Sequence, residues 1–261
     1  MLSVRYGRRN ACDLQYQSGY PPLTIFLKST PRLRNRGKGP ARAKATTLRL
    51  NMAATIDGHV AHPTEAWEFG SNEDRRRMDR LREWSDCLIV SSKTLEHDNM
   101  DLRVRTKPHS KHHPRPVIVA REAKPFRAGL RATRHAAAAQ GGEVWFEKGT
   151  EANLAALWPD LGAKWDIFFY ESVADIVSSL SERGYKKLLL EGGPTLNGLF
   201  FSAALVDEFF LTLLPLLWGG KTTDRSVITA TPLPMQHFRL RSAEKRGDEM
   251  FLRYVRKKRH T

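Results

Sequence analysis

The residues with the most chemical potential in this 261-residue chain lie in LLLEGGPTLNG, residues 188–198. Three leucines that read as a buried strand run into Glu191, Gly192, Gly193 and Pro194, and the chain then turns apolar again as if entering a helix. Pro194 suits a first helical position, where its missing N–H is no loss. The glycines before it let backbone approach a ligand closely. A helix N-terminus there would offer N–H groups and the positive end of a dipole to a phosphate. The spacing is neither G-x-G-x-x-G nor G-x-x-x-x-G-K-[ST], so by itself the stretch fits a phosphate loop and a plain Gly-Gly turn equally well. Glu191 is either a pocket carboxylate or a strand-edge surface residue, and a phosphate loop beside it favours the pocket.

The elements that must position these residues are punctuated regularly from Leu48 onward. LRLNMAAT alternates and runs into the turn IDG, where Asp57 reads as a turn former. GSNEDRRRMDRLREWSD reads as a helix capped by Ser71, with Asp74 completing a capping box and Met78, Leu81 and Trp84 or Cys87 forming an apolar stripe. CLIVSS, RPVIVAR, DIFFY, YKKLLLE and DEFFLTLLP read as strands. SVADIVSSLSERG and PTLNGLFFSA read as helices, the first capped by Ser172 and stopped by Gly184. FRLRSAEKRGDEMFLRYVR closes the chain as a hairpin, and residues 122–165 are poorly patterned. Strands alternating with helices predict an α/β fold with a mostly parallel sheet and an antiparallel C-terminal end.

Composition narrows the class. The net charge of +15 suggests a nucleic-acid partner until its distribution is read. Residues 1–50 hold eleven Lys/Arg against one acid, the tail 253–261 adds five more basic residues, and residues 51–252 balance at 27 of each sign. A nucleic-acid-binding domain carries its basic face on the folded body, so basic termini are the expectation here. Residues 1–47, rich in Arg, Pro, Gly and Ala without a period, are expected to be a disordered basic extension. They share the Arg-rich, acid-poor character of an organellar transit peptide, and a mis-assigned start would look the same. The two cysteines, Cys12 and Cys87, form no C-x-x-C pair and suit a reducing, cytoplasmic setting.

Taken together and in order, AATIDGHVA, VSSKTLEHDNMDLRVR and LLLEGGPTLNGLFFSAALVDEFFLTLLPLLWGG resemble the reductase domain of riboflavin biosynthesis, the C-terminal half of bifunctional deaminase-reductases. The resemblance covers residues 48–256, with 257–261 a basic tail. It implies a three-layer dihydrofolate reductase-like fold, NADPH as hydride donor, a pyrimidine ribosylamino 5′-phosphate as substrate, and a homodimer. It assigns Glu191 and Asp98 to catalysis and Gly192, Gly193, Pro194, Thr195, Leu196, Asn197, Gly198 and Leu199 to the cofactor's pyrophosphate. It adds Thr94 and Asp98 on the cofactor side, Trp67 stacking on the cofactor, Ala53 or Ala54 by the nicotinamide, and Arg121 toward the adenosine 2′-phosphate. Arg82, Asn99, Leu102, Arg105 and Glu191 fall to the substrate. A guanidinium fork suits a phosphate monoester, although Arg82 is also spaced to pair with Asp79 or Asp86 along its helix. HSKHHP, residues 109–114, holds three histidines in a Pro-bounded loop, and the family needs no metal.

The chain departs from the family in DNMDLRVR, where Met100 stands for the usual proline and Arg103 for a threonine. That leaves substrate identity more open than cofactor use. A reductase of the same fold acting on another pterin-like or pyrimidine substrate is the alternative, and a non-catalytic nucleic-acid-associated protein using the basic ends is the third. No H-x-E followed by P-C-x-x-C occurs in these residues, so deamination is expected elsewhere.

Overall fold

Successive residues of a strand point to opposite faces of a sheet, and here both sets are apolar. Cys87 and Ile89 pack into one core with Leu48, Leu50, Leu188 and Leu190, while Leu88 and Val90 pack into another with Leu81, Leu95 and Leu189. A sheet with two apolar faces must be covered twice, which gives three layers. The computed structural model describes residues 5–6, 12–13, 24–25, 46–60, 70–106, 112–122, 141–150, 165–219, 226–228, 233 and 235–257.

Within the segment expected to lack structure, β1 (Arg5–Tyr6), β2 (Cys12–Asp13) and β3 (Thr24–Ile25) form a small antiparallel sheet of their own. The body follows as β4 (Thr47–Thr55), α1 (Asn72–Trp84), β5 (Cys87–Ser91), α2 (Ser92–Asp98), β6 (Arg115–Ala120), β7 (Gly142–Glu147) and β8 (Trp165–Tyr170). After these come α3 (Val173–Glu182), β9 (Lys187–Leu190), α4 (Pro194–Ser202), β10 (Glu208–Leu214), β11 (Phe238–Arg246) and β12 (Glu249–Arg256). Among the described residues nine strands make one sheet in the order β11-β12-β10-β4-β9-β5-β6-β7-β8. All neighbours from β10 to β8 are parallel, and β12 is antiparallel to both β10 and β11. The expected α/β architecture and closing hairpin are therefore present. Leu196, Phe200, Ile176 and Leu180 bring α4 and α3 onto one face, and Leu81 and Leu95 bring α1 and α2 onto the other.

One break in the sheet matters for function. β9 pairs with β4 only from Thr47↔Lys187 to Leu50↔Leu190. It stays with β5 further: the Glu191 N–H donates to the Ile89 carbonyl at 3.0 Å, and the Ser91 N–H to the Gly192 carbonyl at 2.7 Å. Beyond Leu50, β4 continues with β10 alone as far as Thr55. The sheet thus parts into two leaves at the carboxyl ends of β4 and β9, the place where an open α/β sheet receives ligands.

α1 corrects the expected apolar stripe. Ser71 caps it, its hydroxyl accepting from the N–H groups of Glu73 and Asp74, but the buried face is Asp74, Arg77, Asp79, Leu81 and Arg82. Asp74 does not close a capping box. Its carboxylate accepts from the Thr212 hydroxyl at 2.5 Å, while Glu249 of β12 accepts from the Ser71 N–H at 2.8 Å and hydroxyl at 2.6 Å. Burial raises the Asp74 carboxyl above its ordinary value, opposed by the Thr212 bond and Arg77. Arg77, lowered by burial to about 10, lies over the rings of Phe251 and Phe210. The contrast is with α3, where Ser172 and Asp175 do form a reciprocal capping box. α1 is held to the sheet by paired charges, which hydrophobic periodicity cannot register.

The amino ends of the strands are locked separately. Glu143, fully buried, accepts from Arg183 at 2.6 and 2.9 Å, from Arg115 at 3.0 Å and from the Trp145 indole at 3.0 Å. Arg115 also reaches Asp166 at 2.7 Å, so β6, β7, β8 and the end of α3 join one network of two carboxylates and two guanidinium groups. Removing one member of a buried ion network leaves the others uncompensated. Glu143→Gln is expected to lower the unfolding free energy by about 3 kcal/mol, measured by urea denaturation.

Candidate active site

Two helix N-termini meet where the leaves part. Ser91, the last residue of β5, caps α2, its hydroxyl accepting from the Thr94 N–H at 3.2 Å and lying 2.9 Å from the Thr94 hydroxyl. The same Ser91 oxygen accepts from the Gly193 N–H at 3.3 Å, so one hydroxyl ties the start of α2 to the start of α4. α4 begins with Gly193 as its cap and Pro194 in the first turn, and it has no side-chain cap hydrogen bond. Gly192 sits at φ +90°, a conformation that favours glycine. A methyl group at Gly193 would come within 2.5 Å of the Thr94 hydroxyl oxygen. The close approach expected of the double glycine is therefore, at Gly193, an approach to Thr94. Asn197, fully buried in the first turn of α4, donates to the Val227 carbonyl at 2.9 Å and has no partner for its Oδ1 among the described residues. Leu196 and Gly198 are buried, Leu199 is exposed, and Thr195 lies at the surface of the first turn.

Glu191 and Arg82 occupy the other side of the parting. Glu191 follows Leu189 on the α1 face of the sheet and is 7% exposed, so the surface-residue reading is overturned. Its carboxylate takes a two-point fork from Arg82, Nε to Oε1 at 2.9 Å and Nη2 to Oε2 at 2.7 Å. Arg82 Nη1 donates to the main-chain carbonyls of Asp101 and, at 2.9 Å, of Arg103. Burial works to lower the Arg82 pKa, but the Glu191 carboxylate, with Asp79 and Asp101, more than restores it, so the guanidinium stays above its ordinary value. Neither Asp79 nor Asp86 is its hydrogen-bonding partner. Asp86 instead caps the start of β9 by accepting from the Lys186 and Lys187 N–H groups at 2.8 and 2.9 Å.

The loop after α2 is pinned to α1. Asp79 accepts from the Thr106 N–H at 2.9 Å, and the exposed Arg105 has its Nε 3.6 Å from the same carboxylate. Arg103 folds back on Asp101, giving its Nη2 to Oδ2 at 2.9 Å and its Nε to Oδ1 at 3.2 Å. Asn99 ends α2 in the left-handed region at φ 43°. Asp98 is half-exposed, with His97 Nδ1 2.6 Å from its carboxylate. The Leu102 side chain is buried in the core against Leu81 and Leu95, so only its backbone can face a substrate. Met100 packs on the edge of the same core.

On β4, Ala54 is buried and Ala53 half-exposed, and Ala53 lies opposite Thr212 of β10. Arg121 is exposed at the carboxyl end of β6. It acts on the buried Tyr170 phenol, which burial and Glu147 push up to about 12 against the pull of Arg121. Trp67 and His109 lie outside the described residues.

Three features escaped the sequence reading. Ser91 has the spacing of a cap to Thr94, a local signal that was available. Asp79, as the loop's anchor, had none, because its partner is 27 residues away. Asp57 forms its turn as expected, and it also accepts from the Trp218 and Gly219 N–H groups at 3.0 and 2.6 Å, tying the end of β10 to that of β4. Its carboxyl is held at about 2, first by the Thr55 hydroxyl at 2.5 Å and then by the Gly219 N–H.

A nine-stranded α/β sheet that parts beside a buried carboxylate and two helix N-termini defines a ligand-binding α/β domain. The chain belongs to the RibD C-terminal domain family, whose sequence model matches residues 46–252. Among curated proteins it is 26% identical to the 2,5-diamino-6-ribosylamino-4(3H)-pyrimidinone 5′-phosphate reductase of Methanothermobacter thermautotrophicus, over 66% of this chain and 79% of that one. It is 26% identical to the riboflavin biosynthesis protein RibD of Escherichia coli, over 66% of this chain and 49% of that protein. It therefore spans about half the length of that relative. Its fold is similar to Acinetobacter baumannii RibD with a TM-score of 0.67 and 21% identity, covering 82% of this chain and 59% of that one. No helix among the described residues is long and apolar enough to cross a membrane.

Two outcomes test the local geometry. Gly193→Ala is expected to destabilise the fold by about 1–3 kcal/mol through overpacking. Adding Thr94→Ala, which removes the oxygen 2.5 Å from the new methyl, is expected to recover most of that loss in thermal denaturation. Because the Asp57 pKa is depressed in the folded state, its tether holds above the unfolded value of about 3.9 and is lost as pH falls through about 2. The amide resonances of Trp218 and Gly219 are expected to titrate with that low midpoint, and Asp57→Asn to abolish the titration.

Proposed function

We propose that this chain is an NADPH-dependent reductase of the riboflavin-biosynthesis type, which reduces the ribosyl group of a ribosylamino-pyrimidine 5′-phosphate to ribityl by hydride transfer to C1′. The observation that carries the reading is the placement of Glu191, a fixed buried carboxylate, beside the uncapped N-terminus of α4 at the parting of the sheet. The names and substrates of the relatives support it, since they include a pyrimidinone 5′-phosphate reductase.

The residues present fit a dinucleotide. The first turn of α4, with a glycine at its cap and no side-chain cap hydrogen bond, suits a pyrophosphate. Thr94 and Ser91 add hydroxyls from the adjoining helix start. Arg121, exposed at the end of β6, is positioned for a 2′-phosphate, which favours NADPH. Ala53, with no bulk beyond its Cβ, leaves a flat surface for a nicotinamide, and Trp67 completes the expected cofactor set. When bound, the nicotinamide supplies the hydride. The protein's own work is alignment and proton handling. A carboxylate has about four acceptor directions, so Glu191 can hold Arg82 and still accept from a substrate amino or hydroxyl group. Asp98, solvent-accessible and paired with the His97 imidazole, serves ring opening by moving a proton to the sugar ring oxygen. Asn99 and the Leu102 backbone line the substrate side, and Arg105 meets the phosphate.

A second reading, a reductase of the same fold acting on another pterin-like or pyrimidine substrate, is favoured by one observation. Arg103, in place of the family's threonine, forms a fork with Asp101 on the substrate loop. Residues 48–256 as the reductase domain, a homodimer and a cytoplasmic setting complete the proposal.

The test is oxidation of NADPH by the purified chain with the ribosylamino-pyrimidine 5′-phosphate, in its diamino and deaminated forms. Turnover with either is expected, and no turnover with both would favour the second reading. Arg105→Ala is expected to raise the substrate KM about tenfold or more, as for loss of a charge-assisted phosphate bond, and to leave the NADPH KM unchanged.

A further inference from the structure

Neither cofactor nor substrate claims the histidine-rich run HSKHHP, residues 109–114, yet one of its members has a defined partner. His113 Nδ1 accepts from the Val104 N–H at 3.2 Å, across nine positions of sequence. Val104 lies in the loop after α2 and is 1% exposed. A buried main-chain donor without an acceptor costs about as much as a lost hydrogen bond, so this contact matters to the loop. The acceptor is itself held from its own side. Pro114 restricts the residue before it to extended backbone, and β6 begins at Arg115, whose N–H donates to the Asp86 carbonyl at 2.8 Å.

Three main-chain N–H groups of this loop end on side-chain acceptors. Arg103 gives its N–H to Asp101 Oδ1 at 2.9 Å, Val104 to His113, and Thr106 to Asp79 Oδ2 at 2.9 Å. Two of these acceptors are carboxylates, and the third is a ring nitrogen. A neutral imidazole has one donor and one acceptor nitrogen, whereas a protonated one has two donors. Acceptance at Nδ1 therefore puts the neutral ring's proton on Nε2. A proton arriving at Nδ1 sets donor against donor, and the Val104 N–H loses its acceptor. Imidazole is the side chain whose charge ordinarily changes between about pH 5 and 8. The charged groups on the elements around it are engaged elsewhere. Asp79 of α1 faces Thr106 and Arg105, Arg103 forks onto Asp101, and Arg115 of β6 binds Glu143 and Asp166. His97 and Asp98 at the end of α2 bond each other, and His112 is exposed.

We propose that His113 is a positioning residue: its neutral imidazole holds the main chain of the loop after α2 at Val104, and proton uptake releases that hold. The same loop carries Asn99, Leu102 and Arg105 on the expected substrate side, so the proposal deepens the reductase reading and rests on it for its kinetic arm only. The contact is complete while the ring is neutral and is lost as pH falls through the ring's titration. A carboxylate ordinarily stays ionised over that range, so the holds at Arg103 and Thr106 remain.

The first measurements need no ligand. Imidazole nitrogen shifts in the NMR spectrum read which ring nitrogen carries the proton. A neutral His113 protonated on Nε2 is expected, and a neutral ring protonated on Nδ1 would overturn the proposal. Amide exchange at Val104, corrected for the intrinsic pH dependence of exchange, is expected to lose protection by about tenfold or more between about pH 8 and pH 5, with β7 unchanged. His113→Gln, whose amide oxygen accepts at either pH, is expected to abolish that loss, and His112→Gln to leave it as in wild type. The same loss in His113→Gln, no loss in wild type, or a uniform loss across the sheet would each overturn the hold. Should the glutamine variant not fold, the wild-type ring shifts decide, together with whether the ring and the Val104 amide share one midpoint. In the kinetic arm, the substrate KM is expected to rise about tenfold as pH falls through that midpoint, with the NADPH KM unchanged, and the rise to vanish in His113→Gln. A rise that persists in the variant would overturn the loop's part in substrate binding. If wild type shows no turnover at any pH, the reductase reading fails while the ring shifts and amide exchange still decide the role of His113.

Discussion

The site depends on a single buried ion pair. Charges leave water only at a cost of several kcal/mol each, and the fork between Arg82 and Glu191 offsets that cost with two short, charge-assisted bonds. The pair adds little to net stability compared with an apolar pair of the same shape. What it contributes is uniqueness. With the guanidinium also bound to the carbonyls of Asp101 and Arg103, helix α1, the end of β9 and the loop after α2 are joined through one side chain.

The parts of the fold legible in sequence were those governed by local rules. Alternation located β4, short apolar runs located β5, β6, β8, β9 and β10, and Ser172, Asp175 and Gly184 bounded α3 by capping chemistry that acts over a few residues. α1 shows where local rules stop. Its start was readable from Ser71, but its buried face is charged, and each charge is met from a distant element: Thr212 for Asp74, Thr106 for Asp79, Glu191 for Arg82. A search for apolar period selects Met78 and Leu81 and passes over Arg82, the most buried residue among them.

The site divides in the same way. Glu191 and the α4 start could be singled out because strand, carboxylate, glycines and proline are contiguous. Their relation to Ser91 and Thr94 was not readable, since it depends on β5 and β9 being neighbours in a sheet whose strand order departs from chain order. The double glycine was expected to make room for a ligand. At Gly193 the room is already taken by the Thr94 hydroxyl, so the glycine is required by the protein's own packing before any ligand arrives. The substitutions at Met100 and Arg103 likewise fall on a loop whose backbone is gripped by α1, so they alter its surface rather than its path.

The parting of the sheet has a mechanical side. β4 and β9 share only the run from Thr47↔Lys187 to Leu50↔Leu190, and this is the spine along which a four-stranded leaf and a five-stranded leaf are bound. A spine so short sets the angle between the leaves through the twist of two fully buried leucine pairs, Leu48↔Leu188 and Leu50↔Leu190. The mouth's width is thus governed from its root, by Leu48, Leu50, Leu188 and Leu190, rather than by the loops around its rim.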